Sequence, residues 1–119
     1  MIKRFGSGRR ISDAVTFGGV FESSGQVADD MSADIAGQTQ QVLDTLDRLL
    51  ADAGYAKADL TRVQVWLADI GDFGAMNRVY EAWLADSPKP ARACIESKLA
   101  DPRYLVEMQA FAYRDHDTV

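Results

Sequence analysis

Apolar and polar positions alternate along the first third of the chain, then repeat at helical spacing, and the changes of period mark out the elements. Between Ile11 and Ser24, Ala14, Val15 and Phe17 precede the Gly18-Gly19 pair and Val20 and Phe21 follow it, a pattern that predicts a β-hairpin. Ser32 is the expected N-cap of a long helix, with Asp34 in its first turn. Ile35, Thr39, Val42, Leu43, Leu46, Leu49 and Leu50 then recur every three or four residues to give one apolar stripe. Gly54 ends that helix as a C-cap glycine. Gly37 sits awkwardly inside it, because a mid-helix glycine costs about 1 kcal/mol relative to alanine, and either close packing or a later helix start would account for it.

Asp59 to Arg62 reads as a single turn leading into a strand in which Val63, Val65 and Leu67 alternate with Gln64, Trp66 and Ala68. Asp72 is the expected cap of a second helix bearing Phe73, Met76, Tyr80, Trp83 and Leu84, which stops before Ser87, Pro88 and Pro90. Two further strands, Ala91–Leu99 and Leu105–Tyr113, are expected to form a second hairpin about the turn 100–103. The order β-β-α-β-α-β-β defines an α+β domain whose two helices cover one face of a single sheet. Trp66, Phe111 and Tyr113 fall on the uncovered face, which points to self-association, with ordinary exposed aromatics as the alternative.

Composition narrows the function. The 119 residues suit one domain, with 1–9 expected as a flexible basic arm and 114–119 as a tail. The absence of a long apolar run predicts no membrane span, and the polar N-terminus predicts a cytoplasmic protein. One cysteine and one histidine leave no disulfide and no thiolate- or imidazole-rich metal site, so no cofactor is expected. Eighteen acidic against thirteen basic residues, a net charge of −5, disfavour nucleic acid as a partner. No phosphate-binding glycine loop, Gly-x-Ser-x-Gly elbow or His-Glu-x-x-His pair is present.

Among chemistry-bearing residues Arg92 stands out, because Lys89-Pro90-Ala91 gives its strand a rigid start and a guanidinium matches a carboxylate with paired donors. Taken alone, a strand-end arginine is more often solvated or structurally paired, and without further context that reading prevails. Glu107 interrupts an apolar run between Val106 and Met108. It reads equally as a carboxylate that orders or deprotonates a water and as a structural ion-pair partner of Arg92 or another basic residue. Cys94, two residues beyond Arg92 on the same side, has no activating neighbour in sequence and reads as a small buried hydrophobe. Ser24 and Gly25 close a strand where a glycine permits close backbone approach. Asn77 is either a surface amide or a hydrogen-bonding link between helix and strand, and His116 belongs to the tail.

Six blocks, taken in order, resemble the Rid (YjgF/RidA) family: Ser24-Gly25-Gln26-Val27, 38–43, Trp66-Leu67-Ala68-Asp69-Ile70 with Asp72-Phe73, 76–80, Pro90-Ala91-Arg92-Ala93-Cys94-Ile95-Glu96, and Leu105-Val106-Glu107. The resemblance spans about residues 10 to 113. It implies a chorismate-mutase-like fold assembled as a homotrimer with ligand clefts between subunits. It further implies hydrolytic deamination of small 2-enamino or 2-imino acids without a cofactor. In that reading Arg92 holds the substrate carboxylate, Glu107 positions the water, backbone at Cys94 addresses the imine nitrogen, and Ser24, Gly25 and Asn77 line the pocket. The tyrosine that closes the cleft in the deaminases has no counterpart in Arg9-Arg10-Ile11-Ser12-Asp13, which leaves a non-catalytic small-carboxylate binder as the alternative. Ribonuclease activity, attached to some members, fits the negative charge least well.

Overall fold

The computed structural model describes residues 1–115; the expectation for His116 lies outside them. Six strands and two helices follow one another as β1 (Lys3–Phe5), β2 (Ala14–Phe17), β3 (Val20–Ser23), α1 (Ile35–Ala53), β4 (Leu60–Leu67), α2 (Phe73–Leu84), β5 (Ala91–Glu96) and β6 (Val106–Tyr113). They build one sheet in the order β1-β2-β3-β6-β4-β5. Val63, Val65, Leu67, Val106, Met108 and Ala110 are buried against Val42, Leu43, Leu46 and Leu50 of α1 and Met76 and Leu84 of α2. The expected α+β architecture is therefore present, with both apolar stripes turned onto one sheet face.

Three local expectations change. Residues 3–5, placed in a flexible arm, form an edge strand paired with β2, Arg4 opposite Val15. At the other end Arg114, placed in the tail, is anchored by its backbone N–H to the Gly19 carbonyl at 3.0 Å and by Nη1 to the Gly54 carbonyl at 2.8 Å. The cap of α1 is Asp34 rather than Ser32: Asp34 Oδ1 accepts from the Gly37 N–H at 2.8 Å, while Ser32 turns to Asp30. Gly37 thus lies in the first turn, where its helix-breaking cost is smallest.

The largest correction concerns the last two strands, which are not a hairpin. β5 runs parallel to β4, with Val63 opposite Arg92 and Val65 opposite Cys94, while β6 lies antiparallel on the far side of β4, with Trp66 opposite Glu107. The connection through α2 is a β-α-β crossover, which yields parallel neighbours. The 97–105 segment then passes over the end of β4: Ser97 N–H donates to the Leu67 carbonyl and Ala68 N–H to the Leu105 carbonyl, at 2.9 and 3.1 Å. A tight hairpin takes about two to five loop residues, so a connection of this length is free to cross a strand.

The glycine pair of the first hairpin does what its composition requires. Gly18 and Gly19 have φ of 53° and 84°, the left-handed conformation of the two-residue turn that joins Phe17 to Val20. A different turn follows α2. Ala85, at φ 46° and ψ −116°, occupies the second position of a type II′ turn closed by Ser87 N–H on the Leu84 carbonyl at 2.8 Å. Glycine is the residue that this conformation favours. Ala85→Gly is therefore expected to stabilise the fold by about 1 kcal/mol and raise the melting temperature by about 4 °C, measured by thermal denaturation.

Candidate active site

The register sorts the expected site residues onto two faces. Residues paired across β4 share a face, so Arg92 and Cys94, with Val63 and Val65, face the helices, whereas Glu107 and Trp66 face away from them. Arg92 and Glu107 also lie two strands apart and, measured on β4, three residues out of step, roughly 14 Å between backbones at the usual strand dimensions. No Arg92–Glu107 ion pair exists among the described residues, and the reading of Glu107 as a structural partner of Arg92 is withdrawn.

On the helix side the guanidinium of Arg92 is held from three directions. Its Nη1 donates to Asn77 Oδ1 at 2.7 Å. Its Cζ lies 4.7 Å from the Tyr80 ring centre and 5.5 Å from that of Phe73. Phe73, Asn77 and Tyr80 stand at i, i+4 and i+7 on α2, so one stripe of that helix grips the arginine. A guanidinium has five N–H donors and no carboxylate among the described residues pairs with this one, so most of its donors remain for a ligand. Asn77 is thereby assigned as the helix-to-strand link rather than a surface amide. Arg92 opens onto a cavity of about 410 Å³ lined also by Asn77, Tyr80, Leu84 and Pro90. Burial raises the Cys94 thiol above its ordinary pKa, with Arg92 opposing only in part, so the sulfur stays protonated and inert at neutral pH. Burial likewise raises the Tyr80 hydroxyl.

Ser24, Gly25 and Glu107 gather on the second face. Pairing of β3 with β6 runs as far as Glu22 opposite Phe111 and resumes at Gln26 opposite Met108. Four steps along one strand against three along the other make a β-bulge at Ser23-Ser24-Gly25. Ser23 turns its hydroxyl inward to accept the Ala110 N–H at 2.9 Å, and Ser24 is tied back to the Asp13 carbonyl through both its N–H and its hydroxyl, at 2.8 and 3.2 Å. The Glu107 carboxylate then lies directly on the Cα of Gly25, where any side chain would collide with it. Burial raises the pKa of Glu107 above the ordinary 4.5. The raised value gives a carboxylate more basic than usual, and it also means that ionisation opposes folding. The Glu107 contribution to stability is complete below the unfolded-state value and is lost as pH rises through the folded-state one. Thermal melts should accordingly show Glu107→Gln gaining on the parent protein as pH is raised from 4 to 7, and a constant difference would contradict the shift.

The six expected residues thus fall into two groups on opposite faces of the sheet, Arg92-Asn77-Cys94 and Ser24-Gly25-Glu107. Phe73 and Tyr80, the walls of the arginine, and Asp13, the anchor of Ser24, were not among them. The i, i+4, i+7 spacing of Phe73 and Tyr80 with Asn77 was a usable signal, whereas nothing in the sequence marks the carbonyl of Asp13. Among the described residues no group of three or more metal-ligating side chains occurs, and no helix is long and apolar enough to cross a membrane.

Comparison with known proteins gives one consistent picture. The family model described as Endoribonuclease L-PSP matches residues 1–114. A RutC family protein of Haemophilus ducreyi is 37% identical over 116 residues, covering 98% of this chain and 99% of the relative. The crystal structure of a YjgF family member from Neisseria meningitidis, 39% identical, superposes with a TM-score of 0.92 over 96% of this chain and 95% of that one. A protein named 3-aminoacrylate deaminase RutC, from Acinetobacter baylyi, is 35% identical over 80 residues, which is 67% of this chain and 63% of that protein.

Proposed function

The chain belongs to the endoribonuclease L-PSP (YjgF/Rid) family, and on that premise we propose that it is a cytoplasmic homotrimer that hydrolyses small 2-imino and 2-enamino acids to 2-keto acids and ammonia. The observation that carries this reading is the Arg92 guanidinium, fixed by Asn77 and Tyr80 at the mouth of a cavity and left without a carboxylate partner among the described residues. Association of copies supplies the missing half: a cleft between neighbours sets the Arg92 half-site of one chain against the Ser24-Gly25-Glu107 half-site of the next. The open sheet face supports association, since Phe17, Ile95 and Tyr113 are 40%, 49% and 47% exposed on it.

Chemically the demand is small. Arg92 binds the carboxylate and fixes C2 of the imine, and the backbone at Cys94 takes the nitrogen. Glu107 accepts a proton from a water as its oxygen bonds to C2 and passes it to the imine nitrogen, giving the carbinolamine. Glu107 then takes the proton of the new hydroxyl and delivers it to the amine as C2=O forms, the C–N bond breaks and ammonia leaves. An enamino acid first tautomerises to the imine. Orientation and one general base are enough for a substrate that already hydrolyses in water. Release of ammonia and 2-keto acid from enzymatically generated imino acids should be faster with the protein than without it, and equal rates would exclude turnover. Binding of 2-ketobutyrate without turnover would leave the non-catalytic carboxylate binder, which the missing cleft tyrosine favours.

Glu107 makes two specific demands. The rate should rise with pH through a value above 4.5, and this limb should vanish in Glu107→Gln. Gly25→Ala should displace the carboxylate and lower kcat about 100-fold while leaving 2-ketobutyrate affinity within about threefold, because only the flexible end of Glu107 must move.

A further inference from the structure

The cavity beside Arg92 holds a second cation whose presence the reaction above does not explain. Lys89 lies three residues before Arg92 and lines the same cavity, over an apolar floor made by Leu84, Ala85 and Pro90. Its ammonium group is held on the II′ turn after α2: Nζ donates to the Ala85 carbonyl at 2.6 Å and to the Ser87 carbonyl at 3.0 Å. An ammonium has three donors, so one is left over. Lys89 has no carboxylate partner among the described residues, although Glu81 lines the same cavity and the chain as a whole carries a charge of −5. A protein rich in carboxylates has therefore placed two cations unpaired on one small concave surface. One carboxylate satisfies Arg92 and leaves Lys89 unused.

We infer that the ligand of this site is dianionic: a 2-imino or 2-keto acid whose side chain ends in a second carboxylate, with the C1 carboxylate on Arg92 and the distal one on Lys89. The inference rests on the carboxylate-binding reading of Arg92 and adds to it the class of side chain. A cavity of about 410 Å³ has room for a chain of four or five carbons. Glu81 sets the limit on affinity, because it faces the same space with the wrong sign for the ligand and keeps the cavity from holding stray anions tightly.

Calorimetric titration of the full chain with 2-oxoglutarate and with 2-oxobutyrate separates the two levels. An exposed ion pair contributes about 1 kcal/mol or less, so 2-oxoglutarate is expected to bind about fivefold more tightly than 2-oxobutyrate. Lys89→Gln, which can still donate to the turn carbonyls, should remove that preference, Lys89→Arg should retain it, and Glu81→Gln should widen it. Equal affinities in the parent protein, or a preference that persists in Lys89→Gln, would overturn the inference while leaving Arg92 as the anchor of a monocarboxylate. Failure of both ligands to bind would overturn the carboxylate reading and this inference with it. Should Lys89→Gln not fold, the parent comparison and Glu81→Gln still decide.

Discussion

Arg92→Ala is expected to weaken binding of 2-ketobutyrate about 100-fold and to abolish any acceleration of imine hydrolysis, with the protein still folded. Charge-assisted hydrogen bonds contribute about 1.5–3 kcal/mol each, and a bidentate carboxylate loses both, which places the drop at two decades or more. The fold has less at stake. Arg92 is half-buried at an edge strand, and its removal forfeits one hydrogen bond to Asn77 and the face of Tyr80, both beside an open cavity that water can enter. Arg92→Lys keeps the charge and loses the fork, so it should recover only a minor part of the affinity. Titration calorimetry alongside thermal denaturation distinguishes loss of the anchor from loss of the fold. Affinity within threefold of the parent protein would remove Arg92 from the site.

A comparable effect on stability is expected at Gln38, where the side chain is wholly buried. Its Nε2 donates to the carbonyls of Met31, Ala33 and Arg103 at 3.0–3.2 Å, and its Oε1 accepts the Leu105 N–H at 2.9 Å. One amide thus joins the approach to α1 to the 97–105 connection, the segment that carries the chain across the end of β4. Gln38→Leu keeps the volume and strands a buried N–H, at a cost of about 3 kcal/mol, which for a domain of this size lowers the melting temperature by about 12 °C. Thermal denaturation reads this directly, and a shift below about 3 °C would show that the hub is dispensable.

These two residues mark the limits of what the sequence discloses. The stripe from Thr39 to Leu50 and the alternation of Val63, Val65 and Leu67 were legible because burial on one face imposes a period, and the helices and strands they predict are present. The partner of each strand was not legible. A strand pattern names the buried face but not the neighbour, and the antiparallel pairing of β5 with β6 was inferred from adjacency in the chain. The crossover through α2 overrode adjacency and put β4 between the strands of Arg92 and Glu107. Asp34 displaced Ser32 as the cap because both residues can accept a backbone N–H and only the geometry of the turn chooses between them. Arg92, Glu107, Ser24, Gly25, Asn77 and Cys94 stand out in the chain pattern as chemistry-bearing residues, but the roles proposed for them come from ordered blocks resembling a family. Gln38 stood within one of those blocks without any sign that its amide would be buried, since a glutamine is usually a surface residue.

The central claim is that one site takes Arg92 from one chain and Glu107 from its neighbour, and mixing two inactive variants tests it. Arg92→Ala and Glu107→Gln chains are unfolded together, refolded at equal concentration and assayed for imine hydrolysis against each variant alone. In a cyclic trimer with random assortment about one quarter of the clefts receive both native residues, so the mixture should regain about one quarter of the parent rate. A mixture in which hybrid assemblies form but activity stays at the level of the separate variants would show that the two residues do not act across a subunit boundary.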